Sequence, residues 1–204
     1  ESIDYGGKEV ADAKAARDYM VENYAIVDED RVGIMGHSHG GLITLMNLFE
    51  YPDAYKVGFA DVPVSDLVAR MGYKTQGYRE LYEVEYHIGE SAFENHDEYI
   101  KRSPAWNTHK LETPLMVYGN TNDDDVNILE IRHLVKSLKA DGKDFIYKEY
   151  EDIPGGHNFA RMDHKVARQA RFDIYKFLEE YLSPERPFNN IKEMEAASYK
   201  FVSR

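Results

Sequence analysis

Apolar residues between positions 8 and 24 recur at spacings of three and four, with charged residues on the opposite side. The apolar stripe is formed by Val10, Ala13, Ala16, Met20 and Tyr24. This period predicts an amphipathic helix over Lys8 to Tyr24. Further helices are predicted from His39 to the residues before Pro52, over Asn127 to Lys139 and His164 to Tyr181, and, as shorter segments, over Tyr78 to His87 and Glu98 to Arg102.

Short apolar runs lie between these helical segments and predict strands. They are Arg31 to Met35, Val57 to Asp61, Pro114 to Tyr118 and Asp144 to Glu149. The first run is bounded by an acidic stretch and by a glycine, which is typical of a buried parallel strand. Strands that alternate with helices favour a parallel sheet with helices on both faces and right-handed crossovers. We therefore expect the α/β class.

The length of 204 residues is enough for one hydrophobic core. We expect residues 1–182 to form a single domain and residues 183–204 to form a C-terminal appendage on its surface. Two prolines separate the domain from a last helical stretch, Ile191 to Tyr199.

Composition excludes several classes of protein. The chain is 43% hydrophobic and 30% charged, as expected of a soluble globular protein. Its 25 Lys and Arg against 37 Asp and Glu give a net charge of −12, which argues against a nucleic-acid partner. No apolar run approaches the roughly 20 residues of a membrane-spanning helix. The absence of cysteine excludes disulfides and cysteine nucleophiles but fits a cytoplasmic and an exported protein equally well.

The chemically informative motif is Gly36-His37-Ser38-His39-Gly40, between a predicted strand and a predicted helix. Its spacing and context match the G-x-S-x-G nucleophile elbow of α/β-hydrolases. A strand that turns at once into a helix forces the central serine into a strained conformation, and we expect side chains at either end of the turn to collide with the backbone. The serine then lies at a helix N-terminus, where the backbone N–H of His39 could stabilise an oxyanion.

A serine nucleophile needs a base and a residue that orients it, and in this fold they follow in the order Ser, Asp, His on loops after strands. The loop after the third predicted strand contains three consecutive carboxylates, Asp123, Asp124 and Asp125. The loop after the fourth contains His157, preceded by two glycines.

Several stretches of the chain resemble the catalytic domain of the prolyl oligopeptidase family of serine peptidases. They include DRVGIMGHSHGGLITLMNLFEYPDAYKVGFADVPVSD and SPAWNTHKLETPLMVYGN, and the resemblance extends from about Tyr5 to Leu182. It implies an α/β-hydrolase fold, a peptide substrate and no cofactor. It further implies Ser38 as nucleophile, His157 as general base and acid, and Asp123, three residues before Val126, as the residue that orients the histidine.

The resemblance also implies a substrate pocket. In the dipeptidyl peptidase branch a similarly spaced tyrosine pair lines the pocket for the residue before the cleaved bond, which corresponds to Tyr78 and Tyr82, and Val126 resembles another wall. Asp125 stands where these enzymes have an asparagine that donates to the substrate backbone, and a carboxylate has no proton to donate. Alternatively, the tyrosines are a helix face that packs on the core.

Other readings of the candidate site remain. The fold and triad also serve a carboxylesterase, and the same residues could persist in a non-catalytic binding or assembly domain. The His37 and His39 pair invites a metal site, but residues two apart on a helix face different sides, so we expect no metal there.

In the resembling family several strands, and usually a propeller domain, precede the elbow strand. Here only the helix from Lys8 to Tyr24 precedes it, and the chain begins with Glu1 rather than Met. We therefore expect the natural protein to contain further upstream strands and a propeller domain. In their absence the strand Arg31 to Met35 would be an exposed edge, one oxyanion donor would be missing, and the chain would be poorly active or would associate, for example as a homo-oligomer.

Overall fold

The structure is a computed structural model that describes residues 4–197. Within that part of the chain the helices are α1 (Lys8–Asn23), α2 (His39–Glu50), α3 (Leu67–Tyr73), α4 (Gln76–Glu83), α5 (His96–Lys101), α6 (Ile128–Ala140), α7 (Lys165–Leu182) and α8 (Ile191–Ala197). The strands are β1 (Gly33–His37), β2 (Val57–Asp61), β3 (Leu115–Asn120) and β4 (Ile146–Tyr150). Short 3-10 helices lie at Glu29–Arg31, Pro104–Trp106, Thr108–Lys110 and Gly156–Arg161.

The four strands of the described residues form one sheet in the order β1-β2-β3-β4, and each neighbouring pair is parallel. The predicted parallel sheet is thus confirmed. The register pairs His37 with Asp61, Asp61 with Tyr118 and Asn120 with Tyr150, so the carboxyl ends of all four strands meet at one edge. Parallel α/β sheets bind ligands beyond this edge.

Helices cover both faces of the sheet. A side chain at Gly58 would meet Leu48 of α2, and one at Gly119 would meet Ile131 of α6. On the opposite face, the hydroxyl of Tyr118 donates to the carbonyl of Ala170 in α7. The strands β2 and β3 are buried throughout because they lie in the middle of this sandwich.

Strand β1 is not the buried strand that its apolar run predicts. It pairs with β2 alone among the described residues, and the side chain of Met35 is 60% exposed. The edge position agrees with the expectation that a partner strand is missing on this side.

The apolar stripe predicted on the first helix is also mostly exposed. Helix α1 forms over nearly the predicted range, but its only buried residue is Val10, whereas Tyr19 and Met20 are exposed. The period of the sequence located the helix correctly, but the half-buried face beyond the first turn includes Lys14 and Arg17 instead of the predicted Met20.

Two features between β2 and β3 differ from the predictions. Helix α4 ends at Glu83 rather than at His87, because Val84 adopts an extended conformation. Helix α3 was not predicted; Asp66 caps it by accepting hydrogen bonds from the N–H groups of Val68 and Ala69.

The segment after α7 packs on that helix through an edge-to-face contact between Tyr175 and Phe188, with ring centroids 5.4 Å apart. Helix α8 begins at Ile191 as predicted, and Met194 is buried. The end of the predicted helix, Ser198 and Tyr199, lies outside the described residues.

Candidate active site

Ser38 occupies the sharp turn between β1 and α2. Its φ of 60° and ψ of −119° lie outside the regions that most residues favour. The backbone holds this conformation through hydrogen bonds from Ser38 N to the Asp61 carbonyl (2.9 Å) and from Val64 N to the Ser38 carbonyl (3.1 Å). The serine is therefore fixed by the neighbouring strand β2 and by the segment that follows it.

Only one of the two glycines of the motif, Gly36, lies where the surrounding atoms leave no room for a side chain. A Cβ at Gly36 would lie 2.0 Å from the carbonyl oxygen of Gly40, so no side chain fits there. A Cβ at Gly40 would meet nothing within 4 Å, which contradicts the expected collision at that end of the turn. The crowded position on the helix is instead the next residue, Gly41, whose Cβ would lie 2.7 Å from Pro63.

His39 is the first residue of α2, so its backbone N–H has no acceptor inside the helix. Its side chain lies 2.7 Å from Glu9 through Nε2, and its ring contacts Tyr5 at a centroid distance of 4.1 Å. The ring of His37 turns elsewhere and places Nδ1 2.9 Å from Asp61 Oδ2. The two histidines thus contact different carboxylates. Among residues 4–197, no group of three or more His, Asp and Glu residues is arranged to hold a metal ion.

Asp123 and His157 come together at the carboxyl edge of the sheet. Nδ1 of His157 lies 2.7 Å from Oδ2 of Asp123, whose side chain is fully buried. The other oxygen of Asp123 accepts hydrogen bonds from the backbone N–H groups of Asp125 (2.9 Å) and Val126 (2.8 Å). Of the three consecutive carboxylates, Asp123 is the one that reaches Nδ1.

The two loops that carry this pair are held together by their own polar groups. Asn120 donates to the carbonyl of Gly156 (2.8 Å), and Asn122 donates to the carbonyl of Ile153 (3.1 Å). Gly155 has a φ of 106°, and a Cβ there would lie 2.4 Å from Met162. Gly155, two residues before the histidine, therefore permits a turn that a residue with a side chain would not adopt without strain.

The electrostatic environment favours the protonated form of His157. Burial lowers the pKa of His157, but the hydrogen bond and the charge of Asp123 act in the opposite direction. The charges of Asp125 and Asp61 add to the effect, so the net pKa is raised above the ordinary value of 6.5. The ring of His37 lies beside the ring of His157, with centroids 4.7 Å apart.

His157 lies beside the serine turn, because its ring contacts that of His37, the residue before Ser38. No hydrogen bond joins Ser38 Oγ to His157 in the part of the chain that the structure describes. Nε2 of His157, the nitrogen that a triad directs at the nucleophile, lies 3.5 Å from Oδ2 of Asp125. Catalytic hydrogen bonds are often long before substrate binds, so this arrangement is compatible with a resting triad.

A buried arginine adjacent to the site was not predicted from the sequence. Arg70 of α3 is 1% exposed and forms an ion pair with the fully buried Glu130 of α6 at 2.9 Å. Its guanidinium also lies 3.2 Å from Oδ1 of Asp125, which in addition binds Lys74. The signal in the sequence was an arginine within an otherwise apolar segment, LVARMGY.

The two tyrosines of the predicted pocket lie between this arginine and the serine turn. The hydroxyl of Tyr78 accepts from Arg70 (2.8 Å) and lies 3.2 Å from the hydroxyl of Tyr82. Tyr82 is buried, and its ring contacts Tyr5 at 4.6 Å, which in turn contacts His39. Val126 is buried directly after the carboxylate loop.

Comparisons with known proteins show the wider context. The sequence profile of the prolyl oligopeptidase family matches residues 2–185. The uncharacterized peptidase YuxL of Bacillus subtilis is 26% identical over 180 residues. The matched region covers 88% of this chain and 26% of the YuxL chain. Dipeptidyl peptidase 8 of Homo sapiens is 32% identical over 148 residues, covering 71% of this chain and 15% of its own.

Among solved structures, an acylaminoacyl peptidase of Pyrococcus horikoshii matches with a TM-score of 0.77 and 21% identity, over 93% of this chain and 30% of that chain. This match supports the α/β-hydrolase fold. The chain spans about a quarter or less of the length of the curated relatives it matches. No helix in residues 4–197 is long and apolar enough to cross a membrane.

Proposed function

Because the chain belongs to the prolyl oligopeptidase family of serine peptidases, we propose that it carries the hydrolytic site of a peptidase and that Ser38 forms the acyl-enzyme. The observation that carries this proposal is the pairing of His157 with the buried carboxylate of Asp123 at 2.7 Å, beside a serine held at a φ of 60°. A histidine with an oriented tautomer and a half-buried serine on a strained turn are the parts that acyl transfer needs.

In the proposed reaction Ser38 Oγ attacks the carbonyl carbon of the scissile bond, and His157 Nε2 accepts its proton. Asp123 keeps the proton of Nδ1 in place and stabilises the imidazolium that forms. The backbone N–H of His39 donates to the oxyanion of the tetrahedral intermediate. His157 then returns the proton to the leaving amine, and a water molecule activated by the same histidine hydrolyses the acyl-enzyme.

We also propose that Tyr78, Tyr82 and Val126 line the pocket for the residue before the cleaved bond. Two contacts support this placement: Tyr82 reaches the serine turn through Tyr5, and Tyr78 shares Arg70 with the loop that carries Val126. The fourth predicted pocket residue, Asp125, has a carboxylate that is already bound by Arg70 and Lys74. A hydrogen bond donated to the substrate backbone is therefore not part of its proposed role.

The proposal extends to the part of the natural protein outside this chain. Strand β1 has a free edge in the described residues, and His39 supplies one oxyanion donor where such sites use two. We propose that upstream strands pair with β1 and that the upstream segment supplies the second donor, with a further domain controlling access to the site.

The experiment is to treat the full-length protein with a fluorophosphonate probe, which reacts with activated serines. We expect labelling of the wild type and none of Ser38→Ala, with peptide hydrolysis reduced on the order of 10⁴-fold or more. Asp124→Asn is the matched control, because it removes an exposed carboxylate next to Asp123 and should keep near wild-type activity. Labelling or turnover that persists in Ser38→Ala would exclude the assignment.

The same preparation separates the possible reactions. Hydrolysis of dipeptide p-nitroanilides supports the peptidase proposal. Turnover of p-nitrophenyl esters without any peptide hydrolysis would instead indicate a carboxylesterase, and a folded protein that neither reacts nor is labelled would indicate a binding or assembly domain.

A further inference from the structure

The two ring nitrogens of His157 both face carboxylates. Nδ1 lies 2.7 Å from Asp123 and Nε2 lies 3.5 Å from Asp125, at ion-pair distance. Asp123 is the expected orienting residue, but a carboxylate opposite Nε2 occupies the side of the ring that must face the serine. Asp125 therefore competes with Ser38 for the nitrogen that does the proton transfer.

Asp125 is itself fixed from the other side. Its Oδ1 binds Lys74 and lies 3.2 Å from Arg70, while its Oδ2 is the oxygen nearest His157. Lys74 is 13% exposed and Arg70 is buried against Glu130, so the surrounding structure holds both cations beside Asp125. The carboxylate thus bridges the imidazole and two cations, Arg70 of α3 and Lys74 directly after that helix.

The titratable groups around His157 come from several neighbouring elements. Asp123 and Asp125 face it from the loop after β3, Asp61 from the end of β2, and the imidazole of His37 from the end of β1. On the far side of Asp125, Arg70 and Lys74 carry positive charges that oppose the effect of this carboxylate. Burial raises the pKa of Asp125, but the hydrogen bond from Lys74 and the charge of Arg70 lower it, so this carboxylate is ionised at neutral pH.

We propose that Asp125 is a positioning residue that holds the Nε2–H of protonated His157 in the resting site and releases it on deprotonation. This inference rests on the proposed function, because it gives His157 the role of base toward Ser38. The resting site at low pH has the imidazolium between two carboxylates and away from the nucleophile. Loss of the proton removes the attraction to Asp125 and lets Nε2 accept the hydrogen bond of Ser38.

Two substitutions change the pH dependence in opposite directions. Asp125→Asn removes a negative charge that favours the imidazolium, so His157 should lose its proton at lower pH. Lys74→Met removes a cation that restrains Asp125 and opposes protonation, so His157 should lose its proton at higher pH.

The measurement is kcat/KM against pH in the full-length protein, with each variant scaled to its own plateau. On the acid side of the profile we expect Asp125→Asn to retain about tenfold more of its plateau activity than the wild type, and Lys74→Met about threefold less. Asp124→Asn removes the same charge from the neighbouring exposed residue and should leave the scaled profile unchanged. Two outcomes would overturn the proposal: a scaled Asp125→Asn profile that matches the wild type, or a loss of kcat/KM by the same factor at every pH. A purely structural role of Asp125 predicts the second outcome.

A second readout does not depend on turnover. The imidazole of His157 can be titrated by NMR with labelled histidine and assigned by comparison with His157→Gln. A lower midpoint in Asp125→Asn than in the wild type supports the proposal, and equal midpoints overturn it. If the fluorophosphonate fails to label Ser38 at any pH, the proposed function fails, while the NMR titration still decides the contact between His157 and Asp125.

Discussion

Gly36 and Gly40 lie on either side of Ser38 but have very different surroundings. The position of Gly36 is filled by the carbonyl of Gly40, whereas the position of Gly40 opens onto space. Gly40 also lies within α2, where glycine costs conformational entropy relative to alanine. The turn therefore leaves no room for a side chain at Gly36, whereas nothing in residues 4–197 requires a glycine at position 40.

This difference predicts opposite effects of two alanine substitutions on the free energy of unfolding of the 204-residue chain. Gly36→Ala should lower it by about 1–3 kcal/mol, because the added methyl group overlaps the backbone. Gly40→Ala should raise it by up to about 1 kcal/mol, the usual gain of alanine over glycine in a helix. Urea denaturation of the two variants and the wild type provides the test. Equal losses in both would mean that Gly40 is also enclosed.

The elbow context singled out Ser38, and the family pattern selected Asp123 and His157. The structure places Asp123 and His157 in contact, while the catalytic roles of the three residues stay a prediction. The contact between Asp125 and His157 could not be predicted, because Asp125 is held by Arg70 of α3 and by Lys74 directly after that helix. Those cations follow β2, whereas Asp125 follows β3, and no spacing rule connects the two segments.

Among the elements, α3 and α6 are joined by a buried ion pair. Arg70 and Glu130 are both fully enclosed, and Glu130 also accepts from the backbone N–H groups of Ser65 (2.9 Å) and Asp66 (3.1 Å). Burial raises the pKa of Glu130 despite these partners. Removing either member of such a pair destabilises the fold, because the other is left as a buried charge without its partner.

We therefore expect Glu130→Leu to lower the free energy of unfolding by about 3–5 kcal/mol, because it leaves the charge of Arg70 buried without its main partner. The matched control is Arg132→Leu on the same helix, which breaks the exposed contact of Arg132 with Glu149 and should have a much smaller effect. Both variants can be compared by urea denaturation. Similar losses of unfolding free energy in the two variants would show that the buried ion pair contributes no more to stability than the exposed one.

The same pair explains why α3 was not predicted. Its seven residues include an arginine that the sequence would place in solvent, and the fully buried ion-pair partner that favours its burial, Glu130, lies 60 positions away. The longer elements have a hydrophobic pattern that does not depend on distant partners, so the sequence predicted their positions to within a few residues. They are β1 to β4, α2, α6 and α7. Short segments that are stabilised by one distant contact give no such local signal.

For the whole molecule, the middle of the sheet and its β1 edge differ in exposure. The strands β2 and β3 are enclosed, while β1 exposes the side chain of Met35 at the edge nearest the elbow. The chain spans about a quarter of the length of its B. subtilis relative, YuxL. The sequence could predict this edge only through the family resemblance, because the apolar run of β1 is what a central strand would have.

The exposed thioether of Met35 makes that edge chemically distinguishable. Methionine is oxidised to the sulfoxide at a rate that follows its exposure, so dilute peroxide should modify Met35 well before the enclosed Met46 and Met116, which serve as internal references within the same digest. Mass spectrometry of the 204-residue chain and of the full-length protein would then report whether further polypeptide covers β1. Protection of Met35 to the level of Met116 in the longer protein is the expected result, and equal oxidation of Met35 in both would show that the edge stays bare. A single sulfur atom thus serves as a built-in footprinting probe for the boundary between this chain and whatever precedes it.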